Sequence, residues 1–130
     1  MAKLVALDID GVLADFSLDF TQLAETLGYN VAVRGATATK TWQFRDDPLN
    51  KISRSDEMAI WDHITESSTF WGSLSTLVTA ADLLALSKLR KANYEVVYLT
   101  DRRTGVDYMG QTVSWLRQRL PNPYAVLTKG

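Results

Sequence analysis

The stretch that decides the fold is Leu4-Val5-Ala6-Leu7-Asp8-Ile9-Asp10-Gly11, an apolar run that ends in two aspartates spaced two apart and a glycine. A short, unbroken apolar run reads as a strand covered on both faces, the kind found in a parallel sheet packed between helices. Two later runs share the design. Glu95-Val96-Val97-Tyr98-Leu99 leads into Thr100-Asp101-Arg102-Arg103, and Tyr124-Ala125-Val126-Leu127 leads into Thr128-Lys129. Residues 101–123 leave room for one crossover helix between the second and third runs. The expected fold class is α/β, with a Rossmann-like parallel sheet of which three strands are evident.

Helical spacing fills the intervals. Phe16, Phe20, Leu23 and Leu27 recur on one helical face, with Asp15 as N-cap and Gly28 as stop, giving a helix over about 17–28. A second helix is expected over about 55–67. From Thr79 to Lys91 the stripe is Leu83, Leu86 and Leu89, joined by Leu84. From Tyr108 to Leu120 it is Met109, Val113, Leu116 and Leu120, ended by Pro121 and Pro123. The first and second strands are far apart. The excess reads as a helical insertion over residues 17–77, with residues 1–16 and 78–130 forming the sheet domain. Without a Gly/Ser linker, the insertion should pack on that domain.

Composition narrows the function. The chain has 130 residues, enough for folding to remove roughly two-thirds of the unfolded chain's surface from solvent. Fourteen Lys and Arg balance fifteen Asp and Glu. That argues against binding nucleic acid or a membrane through bulk charge. There is no Cys and only one His, which excludes a disulfide scaffold, a thiolate zinc site, a thiol nucleophile and a multi-histidine metal site. No apolar run reaches the ~18 residues that span a bilayer. Asp8 interrupts the N-terminal run too early for a signal peptide, so the expected location is the cytoplasm.

In an open parallel sheet, ligands bind beyond the carboxyl ends of the strands. Here those ends carry Asp8 and Asp10, Thr100 with Arg102, and Lys129. Residues two apart in an extended chain point the same way, so Asp8 and Asp10 can face one site. Two adjacent carboxylates repel unless one is protonated or a cation neutralises them. With only oxygen ligands on offer, Mg²⁺ is the expected cation. Gly11 lets the backbone turn sharply after the pair.

DIDGVLADF at Asp8–Phe16 resembles the first motif of the haloacid dehalogenase superfamily of phosphohydrolases. VVYLTDR at Val96–Arg102 resembles its second motif, and Lys129 sits where the third-motif lysine belongs. The insertion resembles that family's helical cap. FWGSL at Phe70–Leu74 with the following AADLLALSKL is similar to the deoxyribonucleotidase-like branch. The resemblance implies an aspartyl-phosphate mechanism on a nucleoside monophosphate. Asp8 would be the nucleophile and Asp10 the acid and base. The Asp8 carboxylate and the Asp10 backbone carbonyl would hold Mg²⁺. Thr100, Asp101 and Lys129 would bind phosphate, and Phe16, Arg102, Phe70 and Trp71 would contact the substrate, one of the aromatics stacking on a base.

The family's fourth motif has no counterpart, because nothing from Tyr108 to Gly130 is Asp or Glu. Weakened Mg²⁺ binding follows. So does an exposed apolar edge at Leu4–Ile9, open to pairing with a second copy. The alternative reading is a non-catalytic or incomplete module of the same fold, used for binding or assembly. A phosphatase of nucleic-acid ends is a third reading, which the near-neutral charge disfavours. Asp15 reads as a cap rather than a catalytic group, and His63 beside Trp61 as a helix residue. Trp42, Phe44 and Trp61 read as the insertion's own core, while Arg34, Lys40 and Arg45 near them fit a solvated loop or a nucleotide contact equally well.

Overall fold

The computed structural model describes residues 3–35, 44, 49–102, 105–120 and 126–128. Strands β1 (Lys3–Asp8), β2 (Tyr94–Thr100) and β3 (Val126–Thr128) form a parallel sheet in the order β1-β2-β3. Helices α1 (Phe16–Thr26) and α2 (Arg54–Glu66), then a 3-10 turn at Trp71–Ser73, lie between β1 and α3 (Ala80–Lys91). Helix α4 (Tyr108–Arg119) joins β2 to β3. The protein is thus a mixed α/β chain, with a small parallel sheet and four α-helices among the described residues.

The helix ends follow local chemistry. The Asp15 side chain accepts from the Leu18 amide, and Gly28 takes φ +93° just after α1. Ser53 with Asp56, and Thr79 with Asp82, close reciprocal capping boxes on α2 and α3. After β1 the chain folds back at once. Gly11 adopts φ +83°, and the Ile9 carbonyl accepts from the amides of Leu13 and Ala14, each at 2.9 Å. The outgoing and returning segments then run side by side. The Asp15 amide donates to Ser75 O at 2.8 Å, the Leu77 amide donates to Leu13 O at 2.7 Å, and Ala14 and Thr76 form an antiparallel bridge.

The strands differ from the doubly covered reading of their apolar runs. In the β1–β2 register Leu4, Ala6 and Asp8 oppose Glu95, Val97 and Leu99, so these six share one face. On it Leu4, Ala6, Asp8 and Glu95 are exposed, and Val97 and Leu99 are half-buried. The other face holds Ile9, Val96, Tyr98 and Thr100, all buried. The physical reason lies in the connections. Right-handed crossovers taken twice in the same direction across a sheet deliver both connecting helices to one face. Among the described residues β1 has β2 as its only strand neighbour, and Leu4 is 63% exposed.

Two helical stripes also differ from expectation. On α3 only Leu86 is buried, Leu89 is half-buried, and Leu83 and Leu84 face solvent. On α4 the buried residues are Gln111, Thr112, Trp115 and Leu116, while Met109 and Val113 are half-buried. The helix has rotated its face to bring two polar side chains inward, and both are fully employed at the site below. The buried apolar residues form one cluster that runs from Ile9, Val96 and Tyr98 through Phe16, Phe20, Phe44 and Trp71 to Ile60 and Ile64. The inserted segment therefore packs against the sheet rather than apart from it.

Candidate functional site

A cleft of about 420 Å³ opens at the carboxyl ends of β1 and β2, lined by Asp8, Asp10, Phe16, Trp61, Trp71, Leu99, Thr100 and Asp101. Its polar floor comes from the strand tips and its aromatic wall from the inserted segment. Asp8, the last residue of β1, is exposed, and the ladder continues one step beyond it through the Ile9 amide to Leu99 O at 3.0 Å. Asp10 follows on the turn. Thr100 ends β2 on the opposite face from Asp8, yet both reach the cleft because it lies at the tips rather than over either face.

Thr100 is the buried polar anomaly of the site. Its side-chain oxygen is inaccessible and has no hydrogen-bond partner among the described residues. Leaving a buried hydroxyl unsatisfied costs about 1–3 kcal/mol, so a cleft-lining hydroxyl in this state suits a ligand oxygen. The indole nitrogen of Trp71 is a second such atom.

Arg102 sits elsewhere than a substrate contact would. It is not among the cleft-lining residues, and its side chain is 1% exposed. Nε donates to Asp10 Oδ2 at 3.0 Å and Nη2 donates to Asp10 Oδ1 at 2.9 Å, a two-pronged pair with a carboxylate that is 20% exposed. Nη1 donates to Thr112 Oγ1 at 2.6 Å, and that hydroxyl donates onward to Tyr108 O at 2.7 Å. The guanidinium carbon lies 4.4 Å from the centre of the Trp71 ring.

The aromatic wall is a stacked group. Phe16 lies against Trp71 at 5.6 Å and 16°, and against Trp61 at 5.4 Å and 25°. Trp71 lines the cleft while 2% exposed, so little of its ring is open to it. Phe70 is half-buried, edge-on to Phe16 and Trp71, and is not among the cleft-lining residues. Trp61 is the half-buried ring of the cleft, although its helical setting read as core. Phe44 does pack as core, stacked on Phe20 at 4.1 Å. The polar side of α4 holds the wall in place. Gln111 Oε1 accepts from the Trp71 and Gly72 amides at 2.8 and 3.2 Å, and its Nε2 donates to Ser67 O and Val106 O at 3.0 and 2.7 Å. No sequence signal marked Gln111 or Thr112, since polar residues on a surface helix normally face water.

Of the residues expected at the site, Asp8, Asp10, Thr100, Asp101, Phe16 and Trp71 meet at the cleft. Arg102 stands behind Asp10. Lys129, Lys40, Trp42, Arg45 and Arg103 lie outside the described residues. Among the described residues no group of three or more His, Cys, Asp or Glu is gathered within reach of one ion. No helix among them is long and apolar enough to cross a membrane. No protein-family model matches the chain, and no curated protein matches it.

Proposed function

We propose that the chain is a phosphomonoesterase of the haloacid dehalogenase type, with a Rossmann-like core and an inserted cap, acting on a nucleoside monophosphate through an aspartyl-phosphate at Asp8. The observation that supports this reading most is the meeting of Asp8, Asp10 and the unpartnered Thr100 hydroxyl in one cleft at parallel strand tips. An Asp8 oxygen attacks phosphorus and the ester P–O bond breaks. The leaving oxygen takes a proton from Asp10. Asp10 then takes a proton from water, whose oxygen attacks phosphorus. The Asp8–phosphorus bond breaks, inorganic phosphate leaves and Asp8 is restored. A carboxylate has about four lone-pair positions, so Asp10 keeps room for this proton beside its two Arg102 bonds. Thr100 donates to a phosphoryl oxygen, and such a donor is typically worth ~3–4 kcal/mol of barrier.

The donor set suits Mg²⁺ in a minimal way. Asp8 and Asp10 line the cleft, where the Asp8 carboxylate and the Asp10 backbone carbonyl would hold Mg²⁺, which accepts one or two carboxylates plus water and phosphate oxygens. Bound there, it would neutralise phosphoryl charge. The half-buried Trp61 ring supports a substrate with a planar base, and the cleft volume falls within the ~300–1,000 Å³ of small-molecule sites.

The test is phosphate release from nucleoside monophosphates with Mg²⁺, beside the Asp8→Asn variant and metal-fluoride trapping on Asp8. Turnover by the wild type, lost in Asp8→Asn, is expected. Absence of both turnover and trapping would end the proposal in favour of a non-catalytic module. That second reading draws on the thin acidic set, with Asp10 already committed to Arg102.

A further inference from the structure

We infer that Arg102 is a positioning residue for Asp10, locking the general acid to the aromatic wall of the inserted segment. The inference rests on the phosphomonoesterase reading and adds to it a device for orienting the proton donor. Among the described residues Arg102 directs its polar atoms to two targets, the Asp10 carboxylate through Nε and Nη2 and the Thr112 hydroxyl through Nη1. Its flat face covers Trp71 at 4.4 Å. Three separate segments therefore converge on the guanidinium carried just past β2: the turn after β1, helix α4 and the 3-10 turn at Trp71–Ser73.

Geometry makes the arrangement specific to arginine. A planar fork matches a carboxylate along both oxygens and fixes its plane, which a lysine ammonium cannot do. Asp10 remains partly exposed to the cleft while Arg102 is enclosed, so the pair has a working side and an anchoring side. Burying an ion pair gives little net stability compared with an apolar filling, which leaves orientation as the gain. The Trp71 contact gives the orientation a second input. Displacement of the wall would move the guanidinium, and with it the plane of the Asp10 carboxylate.

The test is steady-state kinetics on a nucleoside monophosphate with wild type, Arg102→Lys, Thr112→Val, Asp10→Asn and the Arg102→Lys/Asp10→Asn double variant, each checked for folding by thermal melt. Arg102→Lys should lower kcat about 100-fold, the cost of small misplacement of a catalytic group, with KM unchanged. In the Asp10→Asn background the same change should cost nothing further. Thr112→Val should lower kcat by a smaller factor, again without a KM change. If Arg102→Lys does not fold, Thr112→Val decides. A wild-type kcat in the folded variant, a loss confined to KM, or fully additive losses in the double variant would overturn the inference. Wild-type turnover separates the two ideas. An inactive wild type removes the phosphomonoesterase reading and this inference with it, whereas an active wild type with an indifferent Arg102 removes this inference alone.

Discussion

Replacing Gln111 by Leu tests how the cleft wall is held. Gln111 is buried and makes four hydrogen bonds, two accepted from the Trp71 and Gly72 amides and two donated to Ser67 O and Val106 O. Leu nearly preserves the volume but strands all four partners. The bond to the Trp71 amide is the fully buried one, and stranding such an N–H costs about 1–3 kcal/mol. The other three are part-buried, where water recovers some of the loss, so each costs about 0.5–1 kcal/mol. The added apolar contact of Leu returns about 1 kcal/mol. The net loss is about 1.5–5 kcal/mol, read as a lower urea midpoint at constant m. At roughly 4 °C per kcal/mol, the thermal midpoint should fall by about 6–20 °C. A Gln111→Leu protein within about 0.5 kcal/mol of wild type, the range of ordinary surface changes, would refute this account of the wall.

Other expectations can be checked separately. Burial raises the Asp19 carboxyl above its ordinary value of 3.8, against two Ser75 hydrogen bonds that lower it and with Asp15 adding to the rise. A raised carboxyl contributes its stability in full below the unfolded value and loses it as pH climbs through the folded one. The stability of wild type relative to Asp19→Asn should therefore decline as pH rises above 3.8, and urea midpoints that differ by a pH-independent amount would contradict this. Trp61→Ala should raise KM for nucleoside monophosphates more than for a small aliphatic phosphate, measured by comparative kinetics. Leu84→Lys, at a position 58% exposed, should leave the melting temperature within the range of about 0.5 kcal/mol. Leu4→Glu should reduce any concentration-dependent self-association seen by sedimentation velocity, since Leu4 sits on the unpaired edge of β1.

The legible part of this molecule was whatever local chemistry decides. The run into Asp8 and the glycine after Asp10 announced a strand and a turn, and both are present with Gly11 at positive φ. Asp15, expected as a cap, is one, because its short oxygen meets the Leu18 amide within the next turn. The lost part depended on partners distant in sequence. Apolar runs in β1 and β2 looked covered on both sides, and only the direction of the crossovers decides that one side is bare. The leucines of α3 outnumber the sheet surface available to them, so Leu83 and Leu84 remain outside. Arg102 and Trp71 looked like ligand contacts by type, yet Arg102 is bonded to Asp10, 92 residues away in the chain, and its flat face lies over Trp71. The inward turn of Gln111 and Thr112 could be anticipated only by knowing which backbone amides and which guanidinium needed them.

The bare sheet face bears on how this protein survives at high concentration. A free edge beside uncovered apolar side chains is the starting surface for strand-on-strand growth. Here Asp8 closes one end of that face, and Glu95 stands opposite Leu4 at the other, so charge sits at both ends of the exposed apolar patch. Such residues act as gatekeepers, and neutralising Glu95 should speed fibril or precipitate formation before it alters the folded state.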